Sequence, residues 1–189
     1  MKKFFKFIGI ILVVLFAAIA VYYFANNEAL PEGKKGKEAD ALAIKMFNAM
    51  NHEAFENTEI IEWSFREKHH YRWIKRENSI VIKWDDNIVH LFPNQPEKNM
   101  LFDKERRRIK NPNPKIFKQA TDFFNNDSFW LVAPYKIFDA GTERSIVKHE
   151  GKDALLITYT SGGSTPGDSY LWILDENYVP TSFKMWTSI

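Results

Sequence analysis

The feature that most constrains this chain is an uninterrupted apolar run near its N-terminus. Phe7 to Phe24 includes no charged or strongly polar side chain, and three lysines at positions 2, 3 and 6 precede the run. As an α-helix the run spans about 27 Å, which is close to the hydrocarbon thickness of a bilayer. Because basic residues hold their end of such a helix in the cytoplasm, we expect the rest of the chain to lie outside the cytoplasm.

A cleaved signal peptide is the alternative to a retained anchor. Ala18-Ile19-Ala20 has the small-x-small pattern of a signal-peptidase site. The run is longer than the apolar core of a usual signal peptide. Tyr22, Tyr23 and Phe24 lie where an aromatic belt would meet the non-cytoplasmic face of the bilayer. Residues 1–25 are therefore predicted to be a membrane anchor, with release into the periplasm after cleavage as the alternative. A lipid anchor on cysteine is excluded because the chain has no cysteine.

Charge and composition narrow the classes of partner. Three of the 26 basic residues precede the apolar run and all 24 acidic residues follow it, so the remainder carries a net charge of −1. This balance gives no electrostatic reason to expect nucleic acid. With no cysteine there is neither a disulfide framework nor a thiolate metal site, and no cofactor is predicted. Residues 26–37 form a predicted polar linker, and residues 38–189 a single predicted domain.

Hydrophobic periodicity predicts a helix followed by an antiparallel meander. From Glu38 to about Asn51, apolar residues recur at helical intervals. Alternating segments then predict four strands and, between the third and the fourth, a turn at Asp85-Asp86-Asn87. The strands are Thr58–Arg66, His69–Arg76, Ile80–Trp84 and Ile88–Phe92.

The second half predicts a helical insert and a second group of strands. Asn113-Pro114 is typical of a helix start, and Ile116 to Phe124 continues at helical spacing. A second short apolar piece, Phe129–Val132, ends at Pro134. Strands are predicted at Ser145–Glu150, Ala154–Thr160, Ser169–Asp175 and Thr181–Ser188. The last of these strands would expose an apolar edge. We therefore expect either that a helix covers this edge or that the chain is a fragment missing a final strand.

Together these elements predict an α+β fold. We expect one strongly curved antiparallel sheet, a half-open barrel, with helices covering its concave face. Large rings recur on the predicted inward faces, and the space between such rings suits an acyl chain. The candidate ligand-binding residues are Trp63, Phe65, Tyr71, Trp73, Trp84, Tyr159, Tyr170 and Trp172, with Phe183 beside them.

The order of elements resembles a known family. An exported N-terminus, a first helix, an aromatic-rich meander, a helical insert and closing strands resemble the periplasmic lipoprotein carriers and their outer-membrane receptors, the LolA/LolB-like half-open barrels. The run Asn126 to Gly141 and the tripeptide Ser164-Thr165-Pro166 ahead of Tyr170 are similar to segments of uncharacterised Gram-negative envelope proteins allied to that superfamily. The resemblance implies a hydrophobic cavity under a helical lid that accepts lipid chains. No match to a carrier's acyl-binding arginine is found.

Other candidate chemistry is weak. His69 and His70 would point to opposite faces of a strand, so they do not form a metal pair. The glycine-rich stretch Ser161–Asp168 lacks the Gly-Lys-Ser/Thr ending of a phosphate-binding loop. The basic run Lys104–Lys110 suits a solvated turn or a contact with anionic headgroups, and Asp127-Ser128 suits a helix cap.

Three functions follow as hypotheses. The first is a membrane-tethered, non-enzymatic binder of a lipid or lipoprotein acyl chain in the bacterial envelope, with residues 7–24 in the membrane. The second is an anchored protein-interaction module whose partner is unknown. The third is a hydrolase using the same cavity, for which His70 and Asp139 are the candidate base and acid.

Overall fold

The computed structural model describes residues 2–162 and 166–187, and the side chains at 2–4 and 25–26 are not described. Residues 163–165 of the predicted glycine-rich turn, with most of the Ser164-Thr165-Pro166 motif, lie outside the described residues, as does Ser188 at the end of the predicted last strand. The chain divides into two compact units, Met1–Glu32 and Gly33–Ile189.

The first unit contains one long helix. Helix α1 (Lys2–Asn26) contains the apolar run, and Phe5–Phe24 is long and apolar enough to cross a membrane. None of that stretch is buried against protein. An exposed helix of this composition has no protein core in which its apolar side chains are buried. Its length and exposure therefore fit either a membrane span or a signal sequence.

The second unit begins with a short strand and two helices. Strand β1 is Lys34–Lys35, helix α2 is Lys37–Ala49 and helix α3 is His52–Asn57. Helix α2 buries Ala39, Ala43 and Met46 on one face, which confirms the predicted helix. Within the stretch predicted as a linker, Lys34 and Lys35 pair with Ile146 and Ser145 of a later strand.

Five strands then form an antiparallel meander, here called the N-terminal sheet. They are β2 (Ile60–Phe65), β3 (His69–Ile74), β4 (Ser79–Trp84), β5 (Asn87–Leu91) and β6 (Met100–Asp103), paired in that order. The predicted turn at Asp85-Asp86 is confirmed: Trp84 pairs with Asn87 and Asp85 has a positive φ of 47°. A short 3-10 turn, Pro96–Lys98, and strand β6 were not predicted from the sequence.

A single helix, α4 (Lys115–Val132), follows the N-terminal sheet. Its start is where the sequence predicts it, since the Asn113 side chain accepts a hydrogen bond of 3.0 Å from the backbone N–H of Lys115. The predicted second apolar piece, Phe129–Val132, is the last turn of this same helix. The interpretation of Asp127-Ser128 as a helix cap is wrong, because both residues lie inside α4 and are buried.

The remaining strands form a second sheet, here called the C-terminal sheet. A 3-10 turn (Ala133–Tyr135) leads into β7 (Thr142–His149), β8 (Lys152–Tyr159), β9 (Ser169–Leu174) and β10 (Pro180–Trp186). The strand order is β1-β7-β8-β9-β10, and every pairing is antiparallel. Strands β8 and β9 are buried on both faces over most of their length.

The α+β class is therefore confirmed, but the strands form two five-stranded sheets where one continuous sheet was expected. Helix α4 contacts both. Its first half packs on the N-terminal sheet through Ala120, Phe123 and Phe124, whereas Phe129 near its end packs on the C-terminal sheet. The described strand pairings close no barrel, and the half-open barrel stays a prediction.

Candidate binding site

The eight predicted ligand-binding rings are divided between the two sheets. Trp63, Phe65, Tyr71, Trp73 and Trp84 lie on the helix-facing side of the N-terminal sheet, and Tyr159, Tyr170 and Trp172 on that of the C-terminal sheet. Period-2 alternation explains the placement, because Trp63 and Phe65 alternate with the exposed Glu62 and Ser64. The structure thus gathers the rings into two groups, and helix α4 contacts both.

In the N-terminal group, two consecutive phenylalanines of α4 cover the rings. The Trp63 and Tyr71 rings stack with centroids 4.5 Å apart. Phe124 lies 6.1 Å from Trp63, 6.3 Å from Tyr71 and 5.4 Å from Trp73. Phe123 meets Trp84 edge to face at 5.5 Å. Edge-to-face and offset pairs of this kind each contribute about 0.5–1.5 kcal/mol beyond the area that they bury.

A buried carboxylate lies one helical turn further along α4. Asp127 is only 3% exposed, and one of its oxygens, Oδ2, accepts hydrogen bonds from Tyr71 Oη at 2.5 Å and from His69 Nδ1 at 2.6 Å. Its other oxygen accepts from Asn126 Nδ2 at 2.8 Å. The His69 ring stacks on Phe123 with centroids 4.1 Å apart. A buried carboxylate needs this many donors, because an unpaired charge away from water is strongly unfavourable.

Burial and the neighbouring carboxylate both act on Tyr71. Loss of solvation raises the pKa of its phenol well above the ordinary range, and the hydrogen bond to Asp127 and the charge of that carboxylate raise it further. Tyr71 therefore stays a neutral donor to Asp127 throughout the physiological range. The cluster ties strand β3 to helix α4 by charge-assisted hydrogen bonds.

In the C-terminal group the rings continue from the end of α4 across β8, β9 and β10. Phe129 lies 5.3 Å from Tyr159 and 4.9 Å from Tyr170. Phe183 lies 5.9 Å from Tyr170 and 5.3 Å from Trp172. Tyr170 and Trp172 are buried, whereas Tyr159 is half-buried. Loss of solvation raises the pKa of Tyr159, with a smaller contribution from the charge of Asp139, and loss of solvation with the nearby Asp168 raises the pKa of Tyr170 to about 12.

Four of the predicted rings carry buried polar atoms that find no hydrogen-bond partner among the described residues. These atoms are Trp63 Nε1, Trp73 Nε1, Trp172 Nε1 and Tyr159 Oη. Each is a donor, and leaving a buried donor without an acceptor costs about 1–3 kcal/mol. Buried polar groups in folded proteins are nearly always paired, so four such donors on the helix-facing sides of both sheets mark these faces as unusual.

Two shallow grooves lie elsewhere on the second unit. One, of about 500 Å³, lies between α2 and the end of β9, and is lined by residues such as Leu42, Lys45 and Tyr178. The other, of about 470 Å³, lies mainly over the side chains that alternate with the rings of β2 and β3, among them Ser64, His70 and Arg72. Their linings mix charged and apolar groups and differ from the ring-covered faces.

The histidines behave as strand geometry requires. His69 faces Asp127, whereas His70 lies on the opposite face with its Nδ1 2.7 Å from Ser64 Oγ. Within residues 2–162 and 166–187, no group of three histidine, aspartate or glutamate side chains is arranged to hold a metal. His70 and Asp139, the candidate pair for a hydrolase, are both exposed and have separate partners, Ser64 for His70 and Lys136 for Asp139.

The basic run is partly neutralised by its own neighbours. Arg107 pairs with Asp103 at 2.7 Å and with Glu105 at 3.1 Å, and Lys104 lies 3.3 Å from Asp86. The side chains in these pairs are solvent-exposed, apart from that of the half-buried Asp103. Exposed ion pairs contribute little to the free energy of unfolding. This arrangement fits a solvated turn, one of the two interpretations of the sequence.

No family model, curated protein or solved structure matches this chain. Its function is therefore argued from its own geometry. Sequence reasoning located the rings but missed the cluster of Asp127, His69 and Tyr71. The available signal was the acidic side chain of Asp127, which interrupts an otherwise apolar helical face between Phe124 and Phe129.

Proposed function

We propose that this protein is a membrane-tethered, non-enzymatic binder of a lipid or lipoprotein acyl chain in the bacterial envelope. The observation that carries the proposal is the convergence of two aromatic faces on one helix. Phe123 and Phe124 of α4 contact the rings of the N-terminal sheet, and Phe129 contacts those of the C-terminal sheet. Apolar rings with incompletely satisfied donors form a surface suited to long chains with few polar atoms.

In this proposal α4 is the lid of a half-open barrel, with the two sheets as its walls. The rings of Trp63, Phe65, Trp73 and Tyr159 are only half-buried, which leaves part of each aromatic face next to solvent. Movement of a single helix would then expose both faces at once. A lid is held by contacts that are individually modest, and the stacked and edge-to-face pairs of α4 are of that size.

The N-terminal helix supports the tether. A retained α1 confines the domain to one membrane, so the protein would capture or hand over lipid locally and would not diffuse between membranes. In this topology the N-terminus is cytoplasmic and the domain periplasmic. Cleavage of the same helix would instead favour a diffusing carrier in the periplasm.

A second candidate function is an anchored protein-interaction module. Strand β10 is an edge of the C-terminal sheet, and its Phe183 and Met185 are exposed. Such an edge offers backbone groups and apolar side chains to an added strand of a partner. Phe183 also contacts the rings of Tyr170 and Trp172, and for this reason we rank lipid binding first.

The experiment that tests the proposal recovers the domain from membranes without detergent. A protease site placed beside Glu32, at the boundary of the two units, releases the domain from membranes that hold the full chain. Lipids extracted from the purified domain are identified by mass spectrometry. We expect co-purified acyl lipid at a substantial fraction of one molecule per protein.

A matched pair of variants provides the control. Trp130→Ser removes an exposed ring that adjoins the C-terminal aromatic group, and Ile44→Ser removes an equally exposed apolar residue of α2. We expect the first to lower the recovered lipid and the second to leave it unchanged. A lipid-free domain that instead retains one protein after crosslinking in cells would favour the interaction module.

A further inference from the structure

The outward face of the N-terminal sheet, opposite the rings, carries a row of polar side chains. Ser64, His70 and Lys83 are neighbours across strands β2, β3 and β4 in the sheet register. All three are exposed, and they alternate with the residues that pack on helix α4. Arg72 lies two residues from His70 on the same face of β3. These four side chains line one groove of about 470 Å³, which we call the outer groove.

The two cations of the outer groove have donors that no other side chain uses. No acidic side chain of the described residues lies within ion-pair distance of Lys83. Arg72 donates to Glu62 at 2.6 Å, and both side chains of this pair are exposed. Because a guanidinium has five N–H donors, the pair with Glu62 leaves most of the Arg72 donors for a ligand.

Ser64 and His70 add a neutral donor beside these cations. Ser64 Oγ lies 2.7 Å from His70 Nδ1. If the hydroxyl donates to Nδ1, the neutral ring carries its N–H at Nε2, and this N–H is left for a third group. If Nδ1–H donates instead, the hydroxyl proton is left over. With either tautomer, the pair therefore keeps one donor for a ligand.

Positive charge dominates this face of the sheet. Glu62 is the single acidic residue in strands β2 to β5, whereas β3 and β4 contribute Arg72 and Lys83. The charge of Lys83 also acts on the half-buried His90 of β5, where it adds to burial in lowering the pKa of the imidazole. In the turn after β4, Asp86 is countered by a lysine of the next turn at 3.3 Å. An anion entering the outer groove would therefore meet a net attraction.

We propose that the outer groove binds a terminal phosphate group, held by Lys83 and Arg72 as cations and by the pair of Ser64 and His70 as a neutral donor. Three separate donor groups on three strands need an anion with at least three free oxygens, which a terminal phosphate has. A carboxylate or a phosphate diester has only two such oxygens. Guanidinium groups also match the geometry of phosphate.

This inference goes beyond the proposed lipid-binding function and does not rest on it, because the rings lie on the opposite face of the sheet. A lipid head group and inorganic phosphate both present a terminal phosphate. The experiment below has one arm for each of these two sources.

The test measures protection of His70 in the full chain, held in phosphatidylcholine nanodiscs that leave both faces of the bilayer accessible. Diethyl pyrocarbonate modifies accessible histidines, and tandem mass spectrometry separates His70 from the adjacent His69. His149, in the other sheet, is the internal control. The first arm compares inorganic phosphate with acetate at equal ionic strength. The second compares nanodiscs that contain phosphatidic acid with nanodiscs that contain phosphatidylglycerol, a diester, and no phosphate is added.

We expect saturating phosphate to slow the modification of His70 by about three- to tenfold, because only the empty site reacts. The rate at His149 and the effect of acetate should stay near the baseline in chloride. Protection in the first arm alone identifies a soluble phosphate as the ligand. Protection by phosphatidic acid identifies a lipid head group.

Two variants remove one cation each. Lys83→Gln and Arg72→Gln should each weaken the apparent affinity for the phosphate by about two- to fivefold, the range for an exposed charge contact. Lys152→Gln removes the same charge from the exposed start of β8, and this control should leave the affinity unchanged. The two test variants change different exposed side chains, so misfolding of one leaves the other as a test.

Four results would overturn the phosphate site. These are an unprotected His70 in both arms, equal protection by the anions with two free oxygens, equal slowing at His149, and an unchanged affinity in both folded variants. None of them bears on lipid binding, because no ring of either aromatic group is altered. Conversely, a domain recovered without acyl lipid would leave the protection of His70 to be judged by itself.

Discussion

At the scale of single residues, the position of Asp127 has the clearest energetic consequence. Its carboxylate accepts from Tyr71 and His69 of strand β3 and from its neighbour Asn126, so one side chain of α4 satisfies donors on two elements. Replacing it therefore disturbs three hydrogen bonds, made to the buried Tyr71, the half-buried His69 and the exposed Asn126. Surface charges on the same helix have no comparable role.

Asp127→Asn is expected to destabilise the domain by about 1–3 kcal/mol, because in either orientation of the new amide its N–H₂ group faces a donor where the carboxylate offered an acceptor. Urea unfolding of the domain produced without residues 1–25 measures the change. Asp122→Asn, in an exposed pair with Lys118 on the same helix, should cost less than about 0.5 kcal/mol. Equal effects of the two variants would show that the buried cluster contributes nothing special.

Tyr170 gives the stability of the domain an alkaline limit. Its folded pKa of about 12 exceeds the ordinary value of 10.0, so folding favours the neutral phenol. The sign follows: this contribution is complete below pH 10, and it is lost as the pH rises from 10 towards 12. Tyr71 and Tyr159, whose pKa values are also raised, act in the same direction.

Tyr170→Phe should therefore flatten the loss of unfolding free energy between pH 10 and pH 12. The change of slope is at most about 1.4 kcal/mol per pH unit for one group. Urea unfolding at several pH values measures it, and the ultraviolet absorbance of tyrosinate reports the ionisation directly. A slope identical to that of the parent protein would contradict the assignment.

At the scale of elements, the arrangement of the two sheets depends on helix α4. The N-terminal sheet is a local meander, and four of the five strands of the C-terminal sheet follow one another directly in the chain. Helix α4 connects the two sheets in sequence and also packs on both, through Phe123 and Phe124 near its middle and Phe129 near its end. Loss of its contacts should consequently affect stability more than loss of a comparable contact within one sheet.

Phe124→Ala tests this role. The ring contacts Trp63, Tyr71 and Trp73, and because it is only half-buried we expect a cost of about 2–3 kcal/mol, below that of a fully buried phenylalanine. Gln119→Ala on the exposed side of α4 should stay within about 0.5 kcal/mol. Urea unfolding measures both, and a loss of cooperativity in the first variant would indicate that the sheets then unfold separately.

Elements were predictable from the sequence where the pattern is local. Alternation placed β2 to β5 and β7 to β10, and helical spacing placed α2 and the start of α4. The division into two sheets was missed because alternation fixes which face a side chain takes but says nothing about which strands pair. The partners of Asp127 were missed for a similar reason: His69 and Tyr71 lie 58 and 56 residues away in the chain.

At the scale of the whole molecule, the proposed function depends on what becomes of the first unit. Helix α1 is long and apolar enough to span a bilayer, and the same property fits a signal sequence. Under the proposed function, an anchored binder would exchange lipid at its own membrane, whereas a released one would carry it away. The membrane orientation and the fate of α1 are therefore part of the function itself.

The absence of cysteine makes the orientation directly measurable, because a single introduced thiol is the only one in the protein. Lys110→Cys places it on the exposed surface of the domain, and Lys3→Cys places it ahead of the apolar run. With a membrane-impermeant maleimide on intact cells, we expect labelling at position 110 and, at position 3, labelling only after lysis. The reverse pattern would contradict a periplasmic domain. A mature protein that has lost the thiol at position 3 and leaves the membrane fraction would establish cleavage, and with it a carrier in place of a tether.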